Sequence, residues 1–141
     1  MPTGQELAAQ LGRVARRWRT QLDARVKHLG LTQARWATLL CLRRAGPMSQ
    51  TVLAVHVGIE GPTLVRLLDA LQAQGLIRRC DSETDRRVKI VHLSEGAMPL
   101  IERIAAIADE LTQEVTEGIP PEDLATAERV LRQIGDRLEK H

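Results

Sequence analysis

The chain has 141 residues, 43% of them hydrophobic and 27% charged, with a formal net charge of +2. That is the size of one domain with extensions and an ordinary globular balance, which excludes a mainly disordered chain. No run of about 18 uncharged apolar residues occurs, and residues 1–6 hold no basic-then-apolar leader, so no membrane span is expected and a cytoplasmic protein is.

Leu7, Leu11, Val14, Trp18, Leu22, Val26 and Leu29 recur at steps of three and four, which predicts one long amphipathic helix ended by Gly30. Thr32 is placed to cap a second helix, with Trp36, Leu39, Leu40 and Cys41 on its apolar face, and Gly46-Pro47 stops it. Ser49 is placed to cap a short third helix to about His56, with Gly58 behind it. A fourth begins near Pro62, where the fixed φ and missing N–H of proline cost little. Its stripe is Leu64, Leu67, Leu68 and Leu71, and Gly75 closes it. The period then changes. Residues 76–80 and 88–93 predict two short strands, joined as a hairpin by the polar residues 81–87. Ser94 is placed to cap a fifth helix with Ala97, Ile101, Ile104, Ala108, Leu111 and Val115 on one face. Gly118-Ile119-Pro120-Pro121 breaks it, and a sixth helix carries Leu124, Ala127, Leu131, Ile134 and Leu138. The fold class is mostly α with a small β-hairpin.

The two ends carry long amphipathic helices, and the last two have the heptad spacing of helices that pack lengthwise. They either pack within the chain or interlock with a second copy in a two-fold dimer. Charge is unevenly spread: net +7 over residues 1–45, none over 46–59, +1 over 60–93 and −6 over 94–141. Such a chain is suited to hold a polyanion with one part and keep another off it. The bland alternative is solvated helix faces, as for the acidic positions 109, 110, 114 and 117.

Residues 49–74 have the form helix, glycine-containing turn, helix, the helix-turn-helix pattern whose second helix enters the DNA major groove. The hairpin after it is then a wing. With Leu64, Leu68 and Leu71 inward, a turn of about 100° per residue points Pro62, Arg66, Asp69 and Ala73 outward. Pro62, Thr63, Val65 and Arg66 lie near the leading end, where base contacts are made. Arg66 either reads a base edge or is a solvated arginine paired with Asp69 or Asp85. The absence of Phe and Tyr, with Trp18 and Trp36 the only aromatics, weighs against a single-strand binder that stacks bases on aromatic rows. Arginine outnumbers lysine 17 to 3. That suits forked phosphate and guanine contacts, although high genomic G+C gives the same bias.

The run Gly58-Ile59-Glu60-Gly61-Pro62-Thr63-Leu64-Val65-Arg66, continued to Leu71 and followed by Gln74-Gly75-Leu76-Ile77-Arg78-Arg79, resembles the MarR family of winged-helix transcription regulators. Asp85-Arg86-Arg87, followed by Leu93-Ser94, looks like that family's wing signature. Leu31-Thr32-Gln33-Ala34-Arg35-Trp36 and residues 13–19 are similar to its SlyA branch. The resemblance implies one chain, 1–141, with a DNA-binding lobe over 32–93. In that lobe the recognition helix spans about 61–74 and the wing about 76–93, while 1–30 and 94–141 are dimerisation helices. It implies that Arg87 enters the minor groove, that Arg86 lies near phosphates and that Asp85 holds such arginines in place. Ser49 and Gln50 are placed to meet phosphates. Gly61 stands where relatives often carry a polar side chain, so one base contact is missing there. A small phenolic or aromatic carboxylate effector is implied at Arg16, Arg19, Thr32 and Trp36. A guanidinium suits a carboxylate and an indole an aromatic ring, while the bland alternative puts Trp36 in the core and the arginines on the surface.

Little else in the sequence carries chemistry. Cys41 and Cys80 make neither a disulfide framework nor a zinc site. A redox sensor needs an exposed, acidified thiol, and Cys41 falls on an apolar helix face. His28, His56, His92 and His141 have no metal spacing. Phosphate-loop, nucleophile-elbow and paired-carboxylate patterns are missing, so neither enzyme nor cofactor is expected. Three classes of function remain: a ligand-responsive dimeric regulator on pseudo-palindromic double-stranded DNA, an architectural or counter-silencing DNA binder without small-molecule control, and a protein–protein module that reuses a winged helix.

Overall fold

The computed structural model of the chain describes residues 4–140, and the readings made for residues 1–3 and for His141 lie outside it. Two compact units divide between Asp109 and Glu110.

The first unit opens on α1 (Gly4–Val26), which runs into a 3₁₀ turn (Lys27–Leu29) closed by Gly30 at φ +77°. Only Leu22 and Val26 of its apolar stripe are buried, whereas Leu7, Val14 and Trp18 remain exposed. Periodicity thus gave the helix correctly but says nothing about how much of a stripe meets another element. Helix α2 (Gln33–Ala45) follows. Thr32 occupies its N-cap position, but only its carbonyl takes part, accepting the Trp36 N–H at 3.0 Å; the hydroxyl does not cap. Besides Trp36, Leu39 and Cys41, α2 buries Leu42 and Thr38. The Thr38 hydroxyl is satisfied by donating to the Ala34 carbonyl at 2.8 Å.

Strand β1 (Met48–Ser49) was not foreseen, since two residues give no alternation to detect. It leads to α3 (Gln50–Val57), α4 (Gly61–Ala73) and the hairpin β2 (Ile77–Asp81) and β3 (Lys89–Leu93). The antiparallel sheet has order β1-β3-β2, with Met48 opposite Val91, Ser49 opposite Ile90 and Arg79 opposite Val91. Helices α2, α3 and α4 pack on one another, and all three also meet the sheet. Leu39, Leu53, Leu64, Leu68, Leu71, Ile77 and Val91 fill this core. Ser94 departs from its expected role: its side chain makes no cap, and a 3₁₀ turn (Glu95–Ala97) intervenes before α5 (Met98–Thr116). Ile101 and Ile104 of α5 are fully buried in this unit.

The second unit holds the end of α5 and α6 (Pro121–Glu139), separated at Gly118-Ile119-Pro120-Pro121 as the sequence predicts. None of the α6 residues is buried, and its stripe positions Leu131 and Leu138 are 47% and 67% exposed. Among the described residues no single helix is long and apolar enough to cross a membrane.

Candidate nucleic-acid interface

Local chemistry sets the helix pair. The Ser49 hydroxyl oxygen accepts the Val52 N–H at 3.2 Å, so one orphan donor at the start of α3 is satisfied by a side chain, as expected. Gly58, at φ +76°, ends α3 by donating to the Ala54 carbonyl at 2.9 Å, a backbone conformation that costs other residues strain. Pro62 then opens α4 in its first turn. After the three-residue break at 58–60, α4 leaves α3 at 102°, inside the range of helix-turn-helix pairs.

Burial of Leu64, Leu68 and Leu71 turns the opposite face of α4 to solvent, and Leu67 is half-buried at the edge. Gly61, Pro62, Thr63, Val65 and Arg66 are all exposed there. Arg66 has no hydrogen-bond or ion-pair partner among the described residues. Both carboxylates considered for it are engaged elsewhere: Asp69 with Arg79 and Asp85 with Arg87.

Arg79 is the residue that sequence reasoning missed. From β2 its guanidinium donates to Asp69 Oδ1 at 2.6 Å, to Gln72 Oε1 at 2.8 Å and to Gln50 Oε1 at 3.4 Å. One side chain thereby ties the wing to the start of α3 and the C-terminal half of α4. The one sequence signal was Asp69 and Gln72 three residues apart, which shares a helix face. Because the Gln50 amide oxygen faces Arg79, its NH₂ is left as the donor for another partner. The Ser49 hydroxyl likewise accepts from Val52 and keeps its own proton to donate.

At the wing tip the Ser82 N–H donates to the Val88 carbonyl at 2.8 Å and the Val88 N–H to the Asp85 carbonyl at 3.0 Å. Asp85 accepts from the Arg87 backbone at 3.0 Å and from its guanidinium at 3.2 and 3.3 Å. Those bonds hold the Asp85 carboxyl below the usual aspartate range. Arg87 is nonetheless 92% exposed, so it is aimed without being covered. Arg86 is exposed beside it, and Lys89 pairs with Asp81 where the two strands meet the loop.

The proposed effector residues are more dispersed. Trp36 is 4% exposed, and its indole N–H donates to Asp23 Oδ1 at 2.9 Å, joining α2 to α1. Arg16, Arg19 and Thr32 are exposed. Arg16 lines an open hollow with Arg17, Thr20 and Gln21, a set without Arg19, Thr32 or Trp36. Arg43 of α2 and Glu102 of α5 form a forked pair at 3.0 Å that holds the Glu102 carboxyl low. Cys41 is buried, which pushes its thiol up and away from reactivity. Cys80 is exposed, with Sγ 3.2 Å from His92 Nε2. Among the described residues no three His, Cys, Asp or Glu side chains are grouped to hold a metal ion.

Helix-turn-helix, third core helix and a three-stranded sheet with its hairpin wing together define a winged helix-turn-helix protein. A model of the MarR family matches residues 31–89. The solved transcriptional regulator PA3341 is 44% identical, over 96% of this chain and 99% of that one, with a TM-score of 0.86. The chain belongs to the MarR family, whose members are transcriptional regulators rather than enzymes. The same fold recurs in NadR in complex with 4-hydroxyphenylacetate, 22% identical over 96% of this chain and 98% of that one, TM-score 0.86. It recurs also in a MarR mutant from E. coli complexed with operator DNA, 24% identical over 91% and 92%, TM-score 0.72.

Proposed function

We propose that this chain is a homodimeric, sequence-specific DNA-binding transcription regulator whose lobe at 32–93 reads operator DNA and whose segments 1–30 and 94–141 assemble the dimer. One observation carries the proposal: an exposed, unpaired Arg66 on the open face of α4, on a helix crossing its partner at 102°. Arg66 reads a base edge, with Pro62, Thr63 and Val65 beside it and Gly61 leaving room for backbone approach. Ser49 and Gln50 donate to phosphates, and Arg87, aimed by Asp85 and accompanied by Arg86, enters the minor groove. The uncovered stripes on α1 and α6 are the surfaces that a second copy covers.

Anisotropy titrations of duplexes selected from random sequence test this. Two recognition helices on one face of the duplex lie roughly 34–36 Å apart, so the selected site should be a pseudo-palindrome. Affinity should fall steeply with salt as counterions are released. Protection of one isolated half-site by a monomer, or salt-insensitive binding, would overturn the proposal and favour a protein–protein module.

For control, we infer an aromatic carboxylate effector at Arg16, Arg19, Thr32 and Trp36, on the SlyA-like residues 13–19 and 31–36. NadR, of the same fold, holds 4-hydroxyphenylacetate. Because the Trp36 indole N–H is already bonded to Asp23, an effector acts there by lying against the ring edge or by displacing Asp23, and so it moves α1 against α2. A coupling of about 1–3 kcal/mol would weaken DNA binding roughly 5–150-fold, and operator DNA must weaken effector binding equally. DNA affinity that no aromatic carboxylate alters would favour the architectural reading.

A further inference from the structure

The DNA-facing side of the helix pair is not only cationic. Between the first turns of α3 and α4 lies an open notch of about 360 Å³, lined by Thr51, Ala54, Val55, Gly61, Leu64 and Val65, with Gln50 at its rim. None of these residues is charged. Val55 is 56% exposed and Val65 40% exposed, so two β-branched side chains sit in water in the free protein. An apolar group of a partner that covered them would gain, because exposed apolar surface is favourably removed from water. Gly61 keeps one wall open: no atom lies within 4 Å of where its Cβ would stand.

A partner that covers this notch has to satisfy its flanks as well. Next to Val65 in the chain is Arg66, whose guanidinium has no partner among the described residues, and at the start of α3 the Gln50 NH₂ and the Ser49 hydroxyl each keep a proton to donate. A surface that is acceptor-rich on either side of a small apolar knob meets that demand. In the major groove only one natural base edge has this form: thymine, with its C5-methyl beside an O4 acceptor and with phosphate oxygens nearby. We infer that the notch between α3 and α4 seats a thymine 5-methyl group, with Val65 and Val55 as the specificity-determining contacts and Arg66 reading an adjacent base. The inference rests on the proposal that α4 is the recognition helix, and it adds the base chemistry which that helix selects. It also explains Gly61, where a polar side chain would narrow the notch and present a donor to a methyl group.

Replacing thymine by deoxyuridine removes the methyl and leaves every hydrogen-bonding group in place. On the selected pseudo-palindromic duplex, deoxyuridine is placed at each thymine of a half-site in turn, and affinity is measured by anisotropy for the parent protein and for Val65→Ala. Val65 is exposed on a helix, so the alanine variant keeps the fold. One thymine per half-site should be sensitive, with binding about four-fold weaker for each methyl removed, the scale of one buried methyl or methylene group. In Val65→Ala the same substitution should change affinity less than two-fold, because paired contacts couple in a double-mutant cycle. Specific binding that is indifferent to deoxyuridine at every position would overturn the methyl site while leaving α4 as the recognition helix. Equal deoxyuridine sensitivity in parent and Val65→Ala would remove Val65 from the contact and overturn the placement. Failure to select any sequence over random duplex would overturn both this inference and the proposal beneath it.

Discussion

Three side chains set the chemistry of the wing and its joint. Asp85 is held low by the Arg87 guanidinium and backbone N–H. A depressed carboxylate contributes its ion pair fully above the ordinary aspartate range and loses it as pH falls through the lowered value. An NMR titration of the Asp85 carboxyl should therefore show a midpoint below the ordinary aspartate range, and Arg87→Ala should bring it back up. An unchanged midpoint in the variant would remove Arg87 as the cause. Arg79 makes three side-chain contacts from one position, and its loss leaves Asp69 and Gln72 to water. Arg79→Ala should lower stability by about 1 kcal/mol, read as a lower urea midpoint with an unchanged slope. Trp36→Phe fills most of the same space but leaves the half-buried Asp23 carboxylate without its indole donor. That change should cost about 1–3 kcal/mol in the same assay, more than Trp18→Phe at an exposed site.

Among the elements, those with long repeats were the legible ones. Six apolar positions at steps of three and four from Leu7 to Val26 make α1 legible, and Leu64, Leu68 and Leu71 orient α4 without any coordinates. The hairpin followed from a change of period at Gly75. Strand β1 escaped because Met48–Ser49 is defined by its partners on β3 rather than by its own sequence. Thr32 and Ser94 were expected to cap because their residue type favours it. In each the backbone takes the N-cap geometry while the side chain makes no cap bond, a choice governed by neighbours that a sequence does not show. The Asp69–Arg79 pair is likewise a meeting of two elements, legible only as a pair of helix positions awaiting a cation. The turn between α3 and α4 offers a test with opposite signs. Gly58 has φ +76° and open space around it, so Gly58→Ala should destabilise by about 1 kcal/mol through backbone strain alone. Gly61 is helical with nothing within 4 Å, so Gly61→Ala should be neutral or stabilising by roughly 0.5 kcal/mol. Thermal melts of both variants decide it, and equal losses would contradict the distinction.

On the scale of the whole molecule, the apolar stripes left open on α1 and α6 are the surfaces that the proposed dimer would cover. Leu131→Glu changes a residue that is 47% exposed, so the chain should still fold while self-association fails. Sedimentation at micromolar concentration should give a dimer for the parent and a monomer for the variant; a monomeric parent would refute the assembly. How far α1 would be left open was not legible beforehand, since one periodic stripe serves equally for a core or for a partner. Ser49 is at once the strand neighbour of Ile90 and the side-chain cap of α3. The hairpin cannot be re-spaced from the helix pair without breaking a ladder pair, a cap or the Arg79 contacts. The lobe is therefore a ruler of fixed length, and under the proposed function the tract that α4 would read stands in a set phase with the tract that the wing would enter. One base pair inserted between those tracts should abolish specific binding outright, whereas the same insertion beyond the ends of the whole pseudo-palindrome should leave it intact.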